Sequence, residues 1–307
     1  MTTVSPDRAT RLAALDFDYT AQPLRTIAAC NLCGGATFIV LTHRDRYGYQ
    51  AEAHGCRTCG LVFLNPVMTA AGYADFYART YRPLVSAYHG RLIDAHTIQD
   101  EQRTYAEERC HLLAPFVEGR GLRRMLDIGG STGVIAHALA TRFGLEGTVL
   151  DPAPGETAEA QALGLETIEG LVETHDFGSR RFDLVVMCQT SDHLLDVAGT
   201  FRRVRELIDD DGLLFMDVVD WRSAYLRNWS VEDAIKIDHP YYFSESTATA
   251  FLARAGFEIL RIDYEADHLH VGYVCRPAAP SAVLPSAAAV EAQWREIRYV
   301  QNAPFSS

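Results

Sequence analysis

Residues 124–151 read as strand, glycine-rich turn, helix and strand, and no other stretch of the chain constrains its fold as tightly. Residues 124–128 form a short apolar strand that carries one acid, Asp127. The turn follows with Gly129, Gly130, Ser131 and Gly133, then a helix over 132–143 and a second strand over 147–151. Glycine lets a backbone approach a ligand without a Cβ clash, and the start of a helix presents unpaired N–H groups. Asp151 ends the second strand, eighteen residues past Gly133. A carboxylate there can accept hydrogen bonds from both hydroxyls of a ribose.

The alternation continues along the chain. Helices are expected over 156–163, 197–208 and 245–255, and strands over 166–168, 182–188 and 212–219. Strands at 257–264 and 270–276 have no helix between them, so they should pair antiparallel. The expectation is an α/β, doubly wound, Rossmann-like fold with a seven-stranded, mainly parallel sheet and an antiparallel edge strand. The turn lacks the G-x-G-x-x-G spacing of dinucleotide sites. The anion of Asp127 suits an amino group or sulfonium and opposes a pyrophosphate.

Upstream lie Cys30-x-x-Cys33 and Cys56-x-x-Cys59, each pair followed closely by glycine. Two such turns supply four thiolates for one tetrahedral zinc, a closed site that would be structural and would stabilise a segment too short to bury its own core. A redox pair is the alternative. Cys110, Cys188 and Cys275 are scattered, with Cys188 at the end of the fourth core strand. A helix over 69–81 carries Tyr73, Phe76, Tyr77 and Tyr81 on one face, and a longer charged helix is expected over 85–116. These patterns divide the chain into an extension (1–28), a four-cysteine zinc module (29–66), a helical lid or connector (67–118), a core (119–276) and a Pro-rich linker with a C-terminal helix (277–307).

The formal net charge is −12 and the only lysine is Lys236. An acidic chain repels a phosphate backbone, so nucleic-acid binding is not expected. Residues 1–11 hold no apolar core ahead of a cleavage site, and the apolar runs are of strand length. A cytoplasmic monomer or homodimer without membrane contact is the expectation.

The segment Asp127-Ile128-Gly129-Gly130-Ser131-Thr132-Gly133 resembles the D-x-G-x-G-x-G first motif of class I S-adenosylmethionine-dependent methyltransferases, with Ser131 where the second glycine is usual. The resemblance implies S-adenosylmethionine as cofactor and Asp151 as the ribose acid, followed by Pro152. Residues 182–188 resemble the family's fourth-strand motif, which places Cys188, Gln189 and Thr190 at the methionine end. Gly170 and Leu171 occupy the adenine-contact loop, without the common Gly-Asp pair.

The four-cysteine module and the run from Cys59 to Pro66, with this core, also resemble bacterial methyltransferases of natural-product and polysaccharide pathways, some acting on carbon of nucleotide-linked deoxy-keto-sugars. That likeness spans about residues 29–276 and implies a small-molecule acceptor, with Tyr77 and Tyr81 touching it. Ser191-Asp192-His193-Leu194 resembles the family's Glu-His-Leu. Asp238-His239 resembles its acid–histidine pair, which suggests His239 as general base supported by Asp238 and His193. The chain departs from those sugar enzymes in length, with about thirty residues after the core where they carry a sizeable further domain. Lys236, Tyr241, Tyr242, His268 and His270 are further candidates for acceptor contact. Two rivals stand beside this reading. One is an RNA-modifying methyltransferase, disfavoured by the acidity and by Cys188-Gln189-Thr190-Ser191 after the fourth strand. The other is a cofactor-binding or zinc-scaffold protein without turnover.

Overall fold

The structure is a computed structural model that describes residues 7–303. The first six residues of the expected extension and the last four of the expected C-terminal segment lie outside the described residues. Chain order begins with α1 (Arg8–Ala13), β1 (Leu24–Arg25), β2 (Phe38–Arg44), β3 (Gln50–Cys56), β4 (Val62–Leu64) and β5 (Val67–Met68). Three helices follow: α2 (Ala70–Arg79), α3 (Tyr81–His89) and α4 (Ile98–Val117). The alternating region contains β6 (Arg124–Ile128), α5 (Val134–Phe143), β7 (Glu146–Asp151), α6 (Pro154–Ala162), β8 (Glu166–Glu169), β9 (Phe182–Cys188), α7 (Val197–Leu207) and β10 (Ile208–Val219). It closes with α8 (Trp221–Asn228), β11 (Tyr241–Tyr242), α9 (Glu245–Ala255), β12 (Phe257–Tyr264), β13 (His270–Pro277) and α10 (Ala287–Asn302).

Seven strands form the central sheet in the order β12-β13-β10-β9-β6-β7-β8. Strands β10, β9, β6, β7 and β8 run parallel, and β13 is antiparallel to both β10 and β12. The antiparallel strand is therefore one place in from the edge, which β12 occupies. The reason is the tight β12–β13 hairpin, whose second strand folds back into the gap beside β10. Strands β9, β10 and β13 are almost wholly buried, as expected for strands covered on both faces. Strand order reverses between β6 and β9, and open α/β sheets bind ligands at the carboxyl ends of strands flanking such a point.

The expected long helix over 85–116 is two helices. Gly90, left-handed at φ 70°, caps α3 and ends it before α4 begins. The cysteine segment builds more than one strand: β2, β3 and β4 form a meander, and a fourth strand joins it from far along the chain. That strand is β11, which pairs Tyr241 with Phe63 and Tyr242 with Val62. Helix α10 lies across the same module. The Trp294 ring sits where a side chain at Gly55 would be, within 2.4 Å of an added Cβ. Gln293 Nε2 donates to Gly60 O at 2.8 Å, and Gln301 Nε2 donates to Leu41 O at 2.6 Å. No helix among the described residues is long and apolar enough to cross a membrane.

Candidate active site

The glycine turn leaves the carboxyl end of β6. Gly129 and Gly133 hold φ of 71° and 76°, and each backs onto a neighbour that leaves no room for a side chain. An added Cβ on Gly129 would lie 2.6 Å from Thr190, and one on Gly133 would lie 2.7 Å from Ala160. Ser131 also sits at positive φ, 50°, a conformation that costs a non-glycine residue about 1 kcal/mol. Its hydroxyl offsets that cost with a 2.7 Å bond to Glu156, which Arg82 of α3 holds from the other side at 2.6 Å. Asp151 accepts from Ser131 N at 3.0 Å and Ala153 N at 2.9 Å, so the acid is locked against the turn. Burial nonetheless raises its pKa above the ordinary value.

Asp127 is fully buried beneath the turn, and neither carboxylate oxygen has a hydrogen-bond partner among the described residues. An added Cβ on Gly130 would approach Asp127 Oδ2 to 2.6 Å, so the glycine is what lets the turn lie on the carboxylate. Burial, with Asp151 and Asp217 nearby, pushes Asp127 up to about 7. A buried acid without a partner is costly and suits a cationic ligand group. Across the crevice, Thr190 Oγ1 donates to Ile128 O at 3.0 Å, and Gln189, at φ 50°, presents its N–H to Asp217 Oδ1 at 2.9 Å. Asp217 is in turn held by Arg109 of α4, a fully buried cation that also reaches Glu265 at 2.8 Å. Helix α4 makes a second contact through Gln102, which accepts from Thr132 Oγ1 at 2.6 Å.

A second polar cluster starts three residues past Gln189. Asp192 and His239 are both buried, with His239 Nδ1 2.9 Å from Asp192 Oδ2. Burial lowers the His239 pKa, with Asp192 pulling the other way, so the ring is held neutral near pH 7. Burial would raise Asp192, but His239 and His193 more than offset it and keep the carboxyl below its usual range. A carboxylate that accepts a hydrogen bond from Nδ1–H fixes the tautomer and leaves the Nε2 lone pair as a base. Asp238 Oδ2 lies 3.4 Å from that Nε2. The His193 ring meets His239 edge to face at 4.6 Å, and its Nδ1 lies 2.9 Å from Asp238 O.

Helix α2 secures this cluster with its aromatic face. Tyr73 Oη donates to Ile237 O at 2.9 Å, and Tyr77 Oη to Asp238 O at 3.0 Å while lying 2.7 Å from His193 Nδ1. Tyr81 follows, packed against Tyr77 at 5.2 Å. The β2–β3 turn of the cysteine module closes the opposite side. Asp45 accepts from the backbone N–H of Tyr47, Tyr49 and Ile237, and Arg46 N donates to Ile235 O at 2.9 Å. Burial pushes Asp45 up to about 7. The turn thereby delivers Tyr47, whose Oη donates to Asp238 Oδ1 at 3.5 Å.

In the module itself the Cys30–Cys59 and Cys33–Cys56 sulfurs lie 3.5 Å apart, and all four sulfurs lie within 4.8 Å of one another. A tetrahedral metal with bonds of about 2.3 Å needs sulfurs roughly 3.8 Å apart, which this cluster meets. The two turns are built alike: Gly34 N donates to Cys30 O and Gly60 N to Cys56 O, both glycines at positive φ. Hydrogen bonds from the Cys30 and Cys59 thiols draw the Cys56 thiol far down, and the same set of contacts pushes the Cys30 and Cys59 thiols up.

The methyltransferase-domain family matches residues 98–262, just over half of the chain. The chain belongs to that family. The match opens at Ile98, the first residue of α4, the helix that supplies Gln102 and Arg109. Curated relatives include a ubiquinone biosynthesis O-methyltransferase of Azorhizobium caulinodans, 30% identical over 46% of this chain and 60% of that protein. A malonyl-(acyl-carrier protein) O-methyltransferase of Geobacter sulfurreducens is 30% identical over 59% of this chain and 72% of that protein. Among solved structures, the PH0226 protein of Pyrococcus horikoshii superposes with a TM-score of 0.50 at 19% identity, covering 58% of this chain and 91% of that one. The fold is thus the Rossmann-like α/β fold of methyltransferase domains. The chain spans less than two thirds of the ubiquinone-pathway relative.

Within this methyltransferase domain the structure sorts the expected residues. Asp127, Gly129, Gly130, Ser131, Gly133, Asp151, Gln189 and Thr190 meet around one crevice, with Cys188 beside Arg109 and Gly170 donating its N–H to Asp151 O. Pro152 and Leu171 are exposed beside it. His239, Asp238, His193, Tyr77, Tyr81 and Lys236 gather in the second cluster. Three acceptor candidates do not, and Tyr242 only borders it, its ring 6.2 Å from that of His239. Tyr241 and Tyr242 are buried in β11, with their hydroxyls used on Leu195 O and on the Lys236 backbone. His270 is buried against Asp267 at 2.9 Å and Tyr105, beside the Arg109 network, and His268 is exposed at the β12–β13 turn. Sequence reading gave no role to Asp192, Tyr47, Arg109 or Asp217. The Asp-x-x-Gly turn at Asp45 was a visible hairpin signal, but its destination was not.

Proposed function

We propose that the protein transfers a methyl group from S-adenosylmethionine to a small-molecule acceptor, with His239 as general base. The observation that carries this is the Asp192–His239 pair, a buried carboxylate and a neutral imidazole, following directly on Gln189 and Thr190 at the cofactor crevice. S-adenosylmethionine, when bound, supplies an electrophilic methyl on a sulfonium. Asp151 would accept from the ribose hydroxyls, and Asp127 would balance the ligand's positive charge. His239 Nε2 takes the proton from the acceptor atom as that atom attacks the methyl carbon. Asp192 would stabilise the imidazolium that results, and the sulfonium would be the leaving group that takes up the C–S electron pair. Tyr77, Tyr81, Tyr47 and His193 shape the acceptor side.

The four-cysteine cluster is read as a structural zinc site, closed by four sulfurs and therefore without an open coordination position. The acceptor is read as a nucleotide-linked sugar or related biosynthetic intermediate, on the likeness of the module and of Asp238-His239 to sugar-modifying methyltransferases. The net charge of −12 favours a small acceptor over RNA. The test is a screen of nucleotide-linked sugars with S-adenosylmethionine labelled in the methyl group. Label should enter one compound class with the native protein and not with His239→Ala. Absence of S-adenosylmethionine binding by calorimetry would end the reading.

A second metal is the competing use of Asp192, His193 and His239, whose ligand atoms lie within 4.8 Å, with Asp192 Oδ1 unpartnered. Elemental analysis separates the two: about one zinc per chain fits the base reading, and two metals per chain fit the alternative.

A further inference from the structure

Arg46 and Lys236 are the two cations at the mouth of the second cluster, and the backbone forces them together. Arg46 N donates to Ile235 O at 2.9 Å and Ile237 N donates to Asp45 Oδ2 at 3.2 Å, so two bonds clamp Asp45-Arg46 onto the residues either side of Lys236. The Lys236 backbone is fixed again from beyond, where its N–H and C=O bond to the Tyr242 hydroxyl at 2.8 and 2.7 Å.

Neither cation has an ion-pair partner within 4.0 Å among the described residues. Asp192 is taken up by His239, and Asp238 lies against His239 and Tyr47. The Arg46 guanidinium instead stacks on the Tyr88 ring at 4.4 Å and bonds its hydroxyl at 2.8 Å, which aims the group without neutralising it. Its Nε is buried and has no partner. Burial lowers the Lys236 pKa and the nearby Arg46 adds to that, against the pull of the Asp238 and Asp192 carboxylates. Unpaired cations in a chain of net charge −12, one with an unsatisfied buried donor, call for an anion from outside. Both residues are half-buried rather than sealed in the core.

We propose that Arg46 and Lys236 form an oxyanion subsite that grips a phosphate or carboxylate on the methyl acceptor, so that the acceptor is an anion. This rests on the acceptor cluster being the second half of the active site. It also gives the cysteine module a direct part in specificity, because Arg46 is carried on its β2–β3 turn. Arginine offers planar two-pronged bonds to such a group, and lysine adds a point charge.

Lys236 is the chain's only lysine, so amine acetylation can be followed at that one side chain by peptide mass spectrometry, without interference except from the N-terminal amine. The probes are inorganic pyrophosphate, a uridine diphosphate and a dicarboxylate, each added to the full-length protein at constant ionic strength. At saturation at least one should slow Lys236 acetylation by roughly fivefold or more, and chloride should not. Arg46→Gln should weaken that protection about tenfold, with Arg46→Lys retaining part of it. Protection by pyrophosphate or uridine diphosphate assigns the subsite to phosphate, and by the dicarboxylate alone to carboxylate. Protection by none overturns the proposal, as does undiminished protection in Arg46→Gln. Methyl transfer to a sugar nucleotide without protection of Lys236 would sink the subsite and leave the methyltransferase reading intact. Protection without any methyl transfer would do the reverse.

Discussion

The two halves of the candidate site are assembled in opposite ways. The cofactor half is built mostly from neighbours in sequence: the turn at 129–133, the acid eighteen residues later and the end of one further strand. The acceptor half draws on residues 45–47, 77–81, 191–193 and 236–239, which meet only when the chain is fully folded. Local sites are held by backbone geometry and tolerate distant damage. Composite sites depend on every element that delivers a residue. The difference teaches where the cysteine module matters, since it touches the acceptor half and not the glycine turn.

The widest separation should come from the metal. Cys56→Ser removes one of the four sulfurs proposed to hold zinc, and the binding energy of a structural zinc, apparent values of about 10–16 kcal/mol, would be folding energy for the module. Turnover should fall to background while affinity for S-adenosylmethionine stays within about fivefold, compared by calorimetry and a methyl-transfer assay. Parallel collapse of both would erase the contrast between the halves. Next, His239→Ala should cut kcat by about 10³-fold, within the usual range for a lost general base, at unchanged cofactor affinity. Its pH profile sharpens the point. Burial lowers the His239 pKa, so the acidic limb of kcat in the native enzyme should fall below the ordinary imidazole value near 6.5. A limb at or above that value would remove His239 from the role.

A smaller effect tests the cofactor half alone. Asp127 rises to about 7 in the fold from 3.8, so the native state binds more protons than the unfolded chain between those values. Stability of the ligand-free protein should therefore decline as pH rises through that window. Asp127→Asn should reduce the decline, the remainder coming from Asp45, and raise Tm by a few degrees at pH 8, while weakening S-adenosylmethionine binding. A lower Tm at pH 8 would mean the carboxylate is satisfied by something else. Smallest of all, Ser131→Gly relieves the left-handed strain but loses the bond to Glu156, so cofactor affinity should move by no more than about threefold. A larger loss would make the Arg82–Glu156–Ser131 link part of binding.

The same contrast explains what could be read from the residues. The sheet, the turn and Asp151 were legible because period, glycine placement and spacing are short-range properties. The clustering of the four cysteines was legible because two Cys-x-x-Cys turns at that separation bring their sulfurs together. Asp192 was visible only as part of a motif, because its partner His239 is forty-seven residues away and only the fold pairs them. Arg109 looks in sequence like any charge on a polar helix, and nothing local marks it as the one turned inward onto Asp217. Tyr241 and Tyr242 show the opposite case, a structural role that sequence did not reveal. Aromatic residues beside a candidate base suggest ligand contact, and the fold shows that their backbone also supplies the fourth strand of the cysteine meander.

That pairing has a consequence during synthesis. Strand β4 is complete once Leu64 has been made, yet its partner arrives only with Tyr241, and α10 comes later still. Until then the cysteine meander exposes an open edge and the apolar ground meant for Trp294. The nascent amino-terminal segment can gather its four cysteines early but cannot close its sheet. It must wait, shielded or at risk of wrong strand addition, for most of the chain to leave the ribosome.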